Sequence, residues 1–365
     1  MENKVVFGRW EAIFLLLNTI CAQVFLNFPR IMAQEGLTAG WILVIYNSIL
    51  VLLAFALIVK LFAKFEGKDI LDISEGLGGN SARIAVGMLI VLYFIFAVSS
   101  VLREFGANMK KIAFPAQNID FIFLFVLAVL VGGAYYGLEA IARFHMFMVP
   151  IIIAGFIIIA IAVTPYYDLG NLFPIGGKGA YSIYINGFNR ISTFSALIIL
   201  FFMTPFIKTH SNLKAVGFIT IGMSAVFLSA ATIIYLMVIP FPVAAENFIP
   251  IYQLAKLFEV ARILERIESV FIIIWSVSVL LYLSTTFYFL VYIFKKTFKL
   301  DYYRPLIIPF AIIIISLSSL PKDLLGFIHA SSKYFSDFSW VITFGMTIVV
   351  LVAANMLKRK GRKGA

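Results

Sequence analysis

The chain has 365 residues, of which 62% are hydrophobic and only 13% are charged. That balance excludes an ordinary soluble domain, because too few polar residues remain to cover its surface. The formal net charge is +11, but the basic residues cluster between and after apolar segments, which is typical of membrane faces and argues against a nucleic-acid partner. A single cysteine, Cys21, excludes a disulfide framework. The composition therefore predicts an all-α integral membrane protein that is in contact with lipid.

About ten apolar segments are long enough to cross a hydrocarbon layer of roughly 30 Å as helices. They occupy residues 10–28, 41–62, 84–102, 121–136, 144–163, 191–207, 215–239, 270–294, 305–320 and 340–356. No soluble domain or low-complexity linker separates them, so residues 1–365 are predicted to form a single polytopic membrane domain. The first segment runs into Pro29 without a small-residue cleavage site, so we expect it to remain as a membrane helix.

The distribution of basic residues predicts the orientation of the chain. An even number of crossings places both termini on one side, and that side carries most of the 29 Lys and Arg residues. Basic loops of membrane proteins face the cytoplasm. Both termini are therefore predicted to be cytoplasmic, against the weaker opposing signal of the basic loop at residues 103–111.

The first apolar segment contains polar residues near its middle. Asn18, Thr19, Gln23 and Asn27 interrupt it, and Pro29 follows. Polar groups at membrane depth are costly unless they face protein, water or a ligand. Two interpretations remain open. The helix is either discontinuous, with free backbone groups that hold a small zwitterion as in many transporters, or continuous, with side chains that hydrogen-bond to neighbouring helices.

The third segment ends in polar and charged residues. Tyr93 lies within it, and Ser99 and Ser100 precede Arg103 and Glu104. Charges are least costly where a span meets the membrane surface. We therefore interpret Arg103 and Glu104 as an interfacial ion pair at the end of the helix rather than as a gate.

The sixth segment offers a second candidate break. Asn186, Asn189 and Arg190 precede its apolar part, and Ser192 and Ser195 lie at its start. In a five-plus-five inverted repeat the first and sixth helices correspond, and both are interrupted at the midplane, so each candidate break strengthens the other. The alternative is that the hydroxyl groups bond back to their own helix backbone.

The eighth segment carries a polar stripe that includes Ser278 and Tyr282. This stripe could line a cavity, and Ser284 or Thr285 could supply a hydroxyl oxygen to a cation near the break in the first helix. Packing between helices is the alternative interpretation.

Several absences restrict the function. No carboxylate, lysine or histidine falls at the centre of a predicted span, since Glu11, Asp120 and His145 lie near span ends. A proton-coupled pump is expected to carry a buried ionisable relay. The sequence also lacks a phosphate-binding glycine-rich loop, a dinucleotide fingerprint and an HExxH metal motif. No enzyme activity, cofactor or metal is therefore expected.

Several sequence blocks resemble the endospore germination permease family, the B subunits of spore germinant receptors. The resemblance to that family's first helix lies in Asn18, Thr19, Phe28, Pro29, Arg30 and Trp41. A more specific resemblance, to the region before and within its eighth helix, lies in residues 250–252, 264–269 and 275. Residues 201–205 resemble the end of its sixth helix.

The resemblance implies a fold and a function. The family is similar to the amino acid, polyamine and organocation transporters, whose fold is a five-plus-five inverted repeat with broken first and sixth helices. The resemblance implies a permease-like subunit in the inner membrane of a bacterial spore, which binds a small nutrient such as an amino acid and works with a larger A subunit and a lipoprotein C subunit. The implied ligand-binding residues are Ala22, Gln23, Val24, Tyr93, Ala97, Phe194, Ser195, Ser278 and Tyr282.

The sequence departs from the family pattern at both breaks. Ala22, Gln23 and Val24 stand where the family usually has glycines, and residues 197–199 lack the family's frequent Gly and Glu. Glycine allows a ligand to approach the backbone, so the departure indicates an altered or more apolar ligand, or a receptor that no longer binds one.

Three hypotheses remain. The first is a germinant-receptor subunit in which ligand binding shifts the domain between two arrangements. The second is a free-standing secondary amino-acid transporter coupled to a cation held by first-helix carbonyls and Ser284 or Thr285. The third is a structural or ion-conducting component whose ligand site has decayed.

Overall fold

A computed structural model of the chain describes residues 8–207, 209–257, 267–320 and 338–363. These residues form helices and short connections, and no strand occurs among them. The 264–269 block of the family resemblance lies largely outside the described residues. The α-helices are α1 Arg9–Cys21, α2 Phe28–Gly36, α3 Gly40–Phe62, α4 Ile70–Ile112, α5 Ile119–Tyr136, α6 Leu138–Ala162, α7 Ala180–Tyr184, α8 Ile198–Met203, α9 His210–Val238, α10 Pro250–Lys256, α11 Ile267–Thr297, α12 Ile307–Ser319 and α13 Thr347–Lys363.

The first membrane helix is interrupted in its middle, which is the discontinuous one of the two interpretations left open by its polar residues. Helix α1 ends at Cys21, a single 3-10 turn covers Ala22–Phe25, and α2 begins at Phe28. Pro29 lies in the first turn of α2, where its missing N–H costs no intrahelical hydrogen bond. The proline can therefore begin a new helix here but cannot continue the preceding one.

The sixth membrane helix is also interrupted. The short helix α7 is followed by twelve residues of 3-10 helix at Asn186–Leu197, and only then by α8. Runs of 3-10 helix longer than three or four residues are uncommon because their hydrogen-bond geometry is poor. The predicted breaks in the first and sixth helices are both confirmed.

Eight helical segments of the described chain are long and apolar enough to cross a membrane, and Arg304–Ser319 is a shorter apolar helix. One of the eight, Phe28–Phe62, joins α2 to α3, so the interrupted pair of α1 and α2 adds one further crossing. The fold class of about ten membrane helices is confirmed. Large apolar side chains such as Leu53, Phe121 and Phe147 are more than half exposed on the outer faces of these helices, as expected where lipid is the solvent.

The first helix lies at the centre of the bundle. Helix α1 packs against α6, α9 and α11, while α11 also packs along α4 and α5. Polar contacts reinforce this core, since Asn18 donates to the backbone oxygen of Ser278 at 3.0 Å and accepts from the Ser278 hydroxyl at 2.8 Å. The break in the first helix therefore faces the interior of the protein.

Helix α4 is longer than the sequence predicts. Hydropathy indicates a span at residues 84–102, but the helix runs from Ile70 to Ile112. Asp69 caps its first turn, where the side chain accepts from the backbone N–H groups of Leu71 and Asp72. A kink at Gly78 and Gly79 separates this polar beginning from the membrane span, and the φ of +64° at Gly79 favours glycine.

The beginning of α4 is joined to the end of α11 by ion pairs. Lys296 binds the carboxylate of fully buried Asp69 and that of Asp72, the latter at 2.8 Å. Lys299 and Arg83 both bind Glu75, at 2.6 and 2.8 Å. This group of charges holds two long helices together at one end of the bundle.

Candidate functional site

A cavity of about 220 Å³ lies at the breaks in the first and sixth helices. Thr19, Gln23 and Asn27 line it from the first helix, and Ser192 and Ser195 line it from the sixth. Helices α4 and α11 contribute the remaining long walls. Interrupted helices expose backbone N–H and C=O groups that can bind polar parts of a ligand, so this cavity is the candidate ligand site.

The cavity brings together six of the nine ligand-binding residues that the family resemblance implies. The six that line it are Ala22, Gln23, Tyr93, Ala97, Ser195 and Tyr282. Val24 and Phe194 are fully buried in the hydrophobic core instead, and Ser278 is held by its two hydrogen bonds with Asn18. Their side chains stabilise the walls of the cavity rather than face it.

Gln23 links the two interrupted helices. Its side-chain amide donates to the backbone oxygen of Ile20 at 2.7 Å and to that of Thr193 at 3.0 Å. Breaks leave backbone carbonyls without their helical partners, and Gln23 satisfies one on each side. The Gln23 side chain thus joins the two breaks directly. A glycine, which the family usually has in this segment, would leave the backbone accessible instead.

The last membrane helix closes one side of the cavity, a contribution that the sequence analysis missed. The Ser195 hydroxyl is hydrogen-bonded to the Ser339 hydroxyl at 2.8 Å, and the Thr343 hydroxyl donates to the backbone oxygen of Ser195 at 3.0 Å. Residues Val341–Met346 form a π-helical turn, a distortion that often accompanies functional sites. The available signal was the spacing of Ser339 and Thr343, which places two hydroxyls on one face of an apolar helix.

Charged side chains also border the cavity, and the sequence analysis missed Glu104 among them. Glu104 and Arg190 both line it, and Arg190 is paired with Glu35 of α2 at 3.1 Å. The interpretation of Arg103 and Glu104 as an interfacial ion pair is wrong. Helix α4 continues to Ile112, and Glu104 lines the cavity. The hydropathy pattern placed the end of the third span at residue 102, ten residues before the end of α4.

The two hydroxyl residues predicted for a cation lie against different helices. Thr285 approaches the Nε2 atom of buried His145 on α6 at 3.4 Å. The Ser284 side chain packs against Gly133 of α5. A Cβ atom added to Gly133 would lie 3.3 Å from the Ser284 side chain. Neither lines the cavity, whereas the neighbouring Thr286 does. Within the described part of the chain, no group of three or more His, Cys, Asp or Glu residues is arranged to hold a metal ion.

Comparisons with known proteins agree with this architecture. The family model described as spore germination protein matches residues 9–324. Spore germination protein B2 of Bacillus subtilis (strain 168) is 23% identical over 280 residues, which are 75% of this chain and 74% of that protein. Spore germination protein YndE of the same organism is 24% identical over 371 residues, which are 97% of this chain and 97% of that protein.

Solved structures show the same fold at low sequence identity. A Na⁺-coupled sialic acid symporter in a substrate-bound outward-open state superimposes with a TM-score of 0.65 at 12% identity, over 95% of this chain and 78% of that chain. The inward-facing conformation of Mhp1 superimposes with a TM-score of 0.54 at 12% identity, over 92% and 75%. With its transporter fold and a family match over most of its length, the chain belongs to the spore germination permease family.

Proposed function

We propose that the chain is the transporter-like, ligand-binding subunit of a spore germinant receptor, which senses a small nutrient such as an amino acid and triggers germination. The observation that carries the proposal is the cavity between the breaks of the first and sixth helices. Family membership supports germination as the process. We propose a binding and signalling role and no enzymatic one.

Ligand binding at this position suits a receptor. A molecule in the cavity contacts α4, α11 and both interrupted helices at once. These elements can adopt different relative arrangements. Ligand binding increases the population of the arrangement that makes the better contacts with the ligand. Interrupted helices can change their arrangement at low cost, because their breaks already lack regular hydrogen bonds. The proposed output is such a shift, passed on to partner subunits.

The proposed setting follows the family. We propose that the protein lies in the inner membrane of a spore with both termini in the cytoplasm, and that an A subunit and a C subunit receive its signal. The charge distribution supports the orientation, because the basic cluster at residues 358–363 forms the end of α13, beyond its apolar part.

The test is ligand-dependent stabilisation of the purified full-length protein by the twenty amino acids, sugars and nucleosides. A ligand that binds only the folded protein raises its melting temperature. We expect a selective stabilising compound, and we expect Ser195→Ala to remove the effect by breaking the contact with Ser339 at the cavity wall. Ser48→Ala is the matched control, since within the described residues the buried Ser48 hydroxyl bonds only to its own helix, at the backbone oxygen of Val44.

A transport assay separates this proposal from the free-standing transporter. The protein is placed in lipid vesicles with an inward cation gradient, and uptake of the stabilising compound is measured. A receptor subunit is expected to bind without accumulating it. Cation-dependent accumulation would contradict the receptor proposal, and the absence of any stabilising compound would contradict ligand binding by this chain.

A further inference from the structure

The Glu104 carboxylate borders the cavity with one oxygen unsatisfied. Its Oε1 atom is enclosed and has no hydrogen-bond partner in the described part of the chain, and the ion pairs of the described residues do not include Glu104. A buried acceptor without a partner is costly, more so when it is charged. Such groups are rare in native structures, and each calls for an explanation such as a functional role.

Glu104 lies on the face of α4 that lines the cavity. Tyr93, Ala97, Ser100 and Glu104 all line the cavity, and their spacings of four, three and four residues place them on one helix face. Eleven residues of helix span about 16 Å. The cavity therefore follows α4 for about three turns, with the Tyr93 hydroxyl at one end of this row and the Glu104 carboxylate at the other.

The cations nearest to Glu104 have other partners. The Arg30 guanidinium attracts it through space, but Arg30 donates to the backbone oxygen of Ala245 at 3.1 Å and lies 3.9 Å above the Phe248 ring. Arg190, which also lines the cavity, is paired with Glu35. The wall thus offers an acceptor that lacks a donor, whereas its cations are already engaged.

We propose that Glu104 binds the protonated amine of the ligand. This inference rests on the proposed ligand-binding function and names the residue that recognises the ammonium group. An ammonium group supplies both the positive charge and the hydrogen-bond donors that the enclosed carboxylate lacks. An anionic ligand without an amine would instead meet the Glu104 charge, while the Arg190 charge is already paired with that of Glu35.

The experiment uses three compounds with one carbon skeleton on the full-length purified protein. L-Leucine carries an amine and a carboxylate, isoamylamine carries only the amine, and 4-methylpentanoate carries only the carboxylate. We expect L-leucine, isoamylamine or both to raise the melting temperature, and 4-methylpentanoate to have no effect. Stabilisation by L-leucine alone identifies the α-ammonium of an amino acid as the bound group, and stabilisation by both shows that a simple amine suffices.

Glu104→Gln removes the charge while it keeps the size of the side chain. We expect the concentration of amine needed for half-maximal stabilisation to rise at least tenfold in this variant. Glu139→Gln is the matched control, because Glu139 is paired with Arg143 in a half-exposed position outside the cavity. Unchanged amine binding by Glu104→Gln, or equal stabilisation of the native protein by 4-methylpentanoate, would overturn the proposal.

The ligand-free protein provides a second readout. A carboxylate kept for a ligand is unfavourable in the empty cavity, so Glu104→Gln is expected to leave the melting temperature unchanged or to raise it. A clear decrease would show that Glu104 stabilises the fold, and would overturn the proposal while leaving ligand binding intact. If no compound of any class stabilises the native protein, the proposed function itself fails.

Discussion

The ion pair between Lys296 and Asp69 is expected to be among the most sensitive polar contacts in the protein. Asp69 has no exposed surface, and burial raises its pKa to about 6 even though the Lys296 ammonium opposes the rise. Removing one partner of a buried ion pair costs about 3–5 kcal/mol, because the other charge stays buried without compensation. Lys296→Met retains most of the side-chain volume and removes the charge.

The expected result is a melting temperature lower by about 5–10 °C at pH 8, measured on the purified protein in lipid nanodiscs. The matched control is Lys299→Met. Lys299 pairs with Glu75 at 2.6 Å but is 61% exposed, and an exposed pair contributes at most about 1 kcal/mol. Both variants remove one lysine at the same end of the bundle. The difference between their melting temperatures therefore reports the effect of burial on the ion pair.

The dependence on pH gives the sharper test. A folded pKa for Asp69 above its ordinary value of 3.8 means that the folded state binds the proton more tightly than the unfolded state. The contribution of Asp69 to stability is then greatest below about pH 4 and falls as the pH rises through 6. Without Lys296 the penalty for the charged form grows, so Lys296→Met should be most destabilised at pH 8 and partly recovered at pH 5. Equal costs for the two lysine variants, or a cost that does not change with pH, would refute this reasoning.

Two further predictions concern contacts between helices. Gly217→Ala is expected to lower the free energy of unfolding by about 1–3 kcal/mol, because its new Cβ would lie 1.9 Å from the ring of buried Phe55. The control is Gly222→Ala on the same helix. Its new Cβ meets no atom within 4 Å, so this change should be neutral or slightly stabilising. Ser278→Ala is expected to cost about 1–3 kcal/mol because it leaves the buried Asn18 side-chain oxygen without a donor. Melting temperatures of the purified variants check both, and a neutral Gly217→Ala or Ser278→Ala would contradict the corresponding contact.

The breaks in the membrane helices could be predicted from the sequence because their causes are local. Pro29 must begin a helix, and Asn18 and Gln23 would be costly within an undisturbed apolar helix in contact with lipid. At the sixth helix Ser192 and Ser195 marked only a candidate break, because such hydroxyls also bond back to their own helix. The residues alone left a continuous helix open in both places, and the inverted repeat implied by the family resemblance favoured the two breaks.

The long-range contacts could not be predicted in this way. The hydroxyl of Ser195 meets that of Ser339, 144 residues later, and Thr285 meets His145, 140 residues earlier. Nothing in the local pattern of these segments identifies their partners. Glu104 was misplaced for a different reason, because hydropathy finds the apolar part of a helix and not its end. Helix α4 continues ten residues beyond the predicted end of its span, to Ile112.

The cavity and the buried ion pair lie on the same two helices, which bears on how a bound ligand could produce a signal. Tyr93 of α4 and Tyr282 of α11 face the cavity, and the distant ends of these helices are joined by Asp69 and Lys296, on the side predicted to be cytoplasmic. Spatial continuity alone does not establish coupling, which requires an element whose equilibrium both sites influence. Coupling is reciprocal, so a ligand that acts on the distance between α4 and α11 must bind with altered affinity once Lys296→Met loosens their joined ends. An unaltered affinity would leave the interrupted helices, rather than α4 and α11, as the elements that carry the signal.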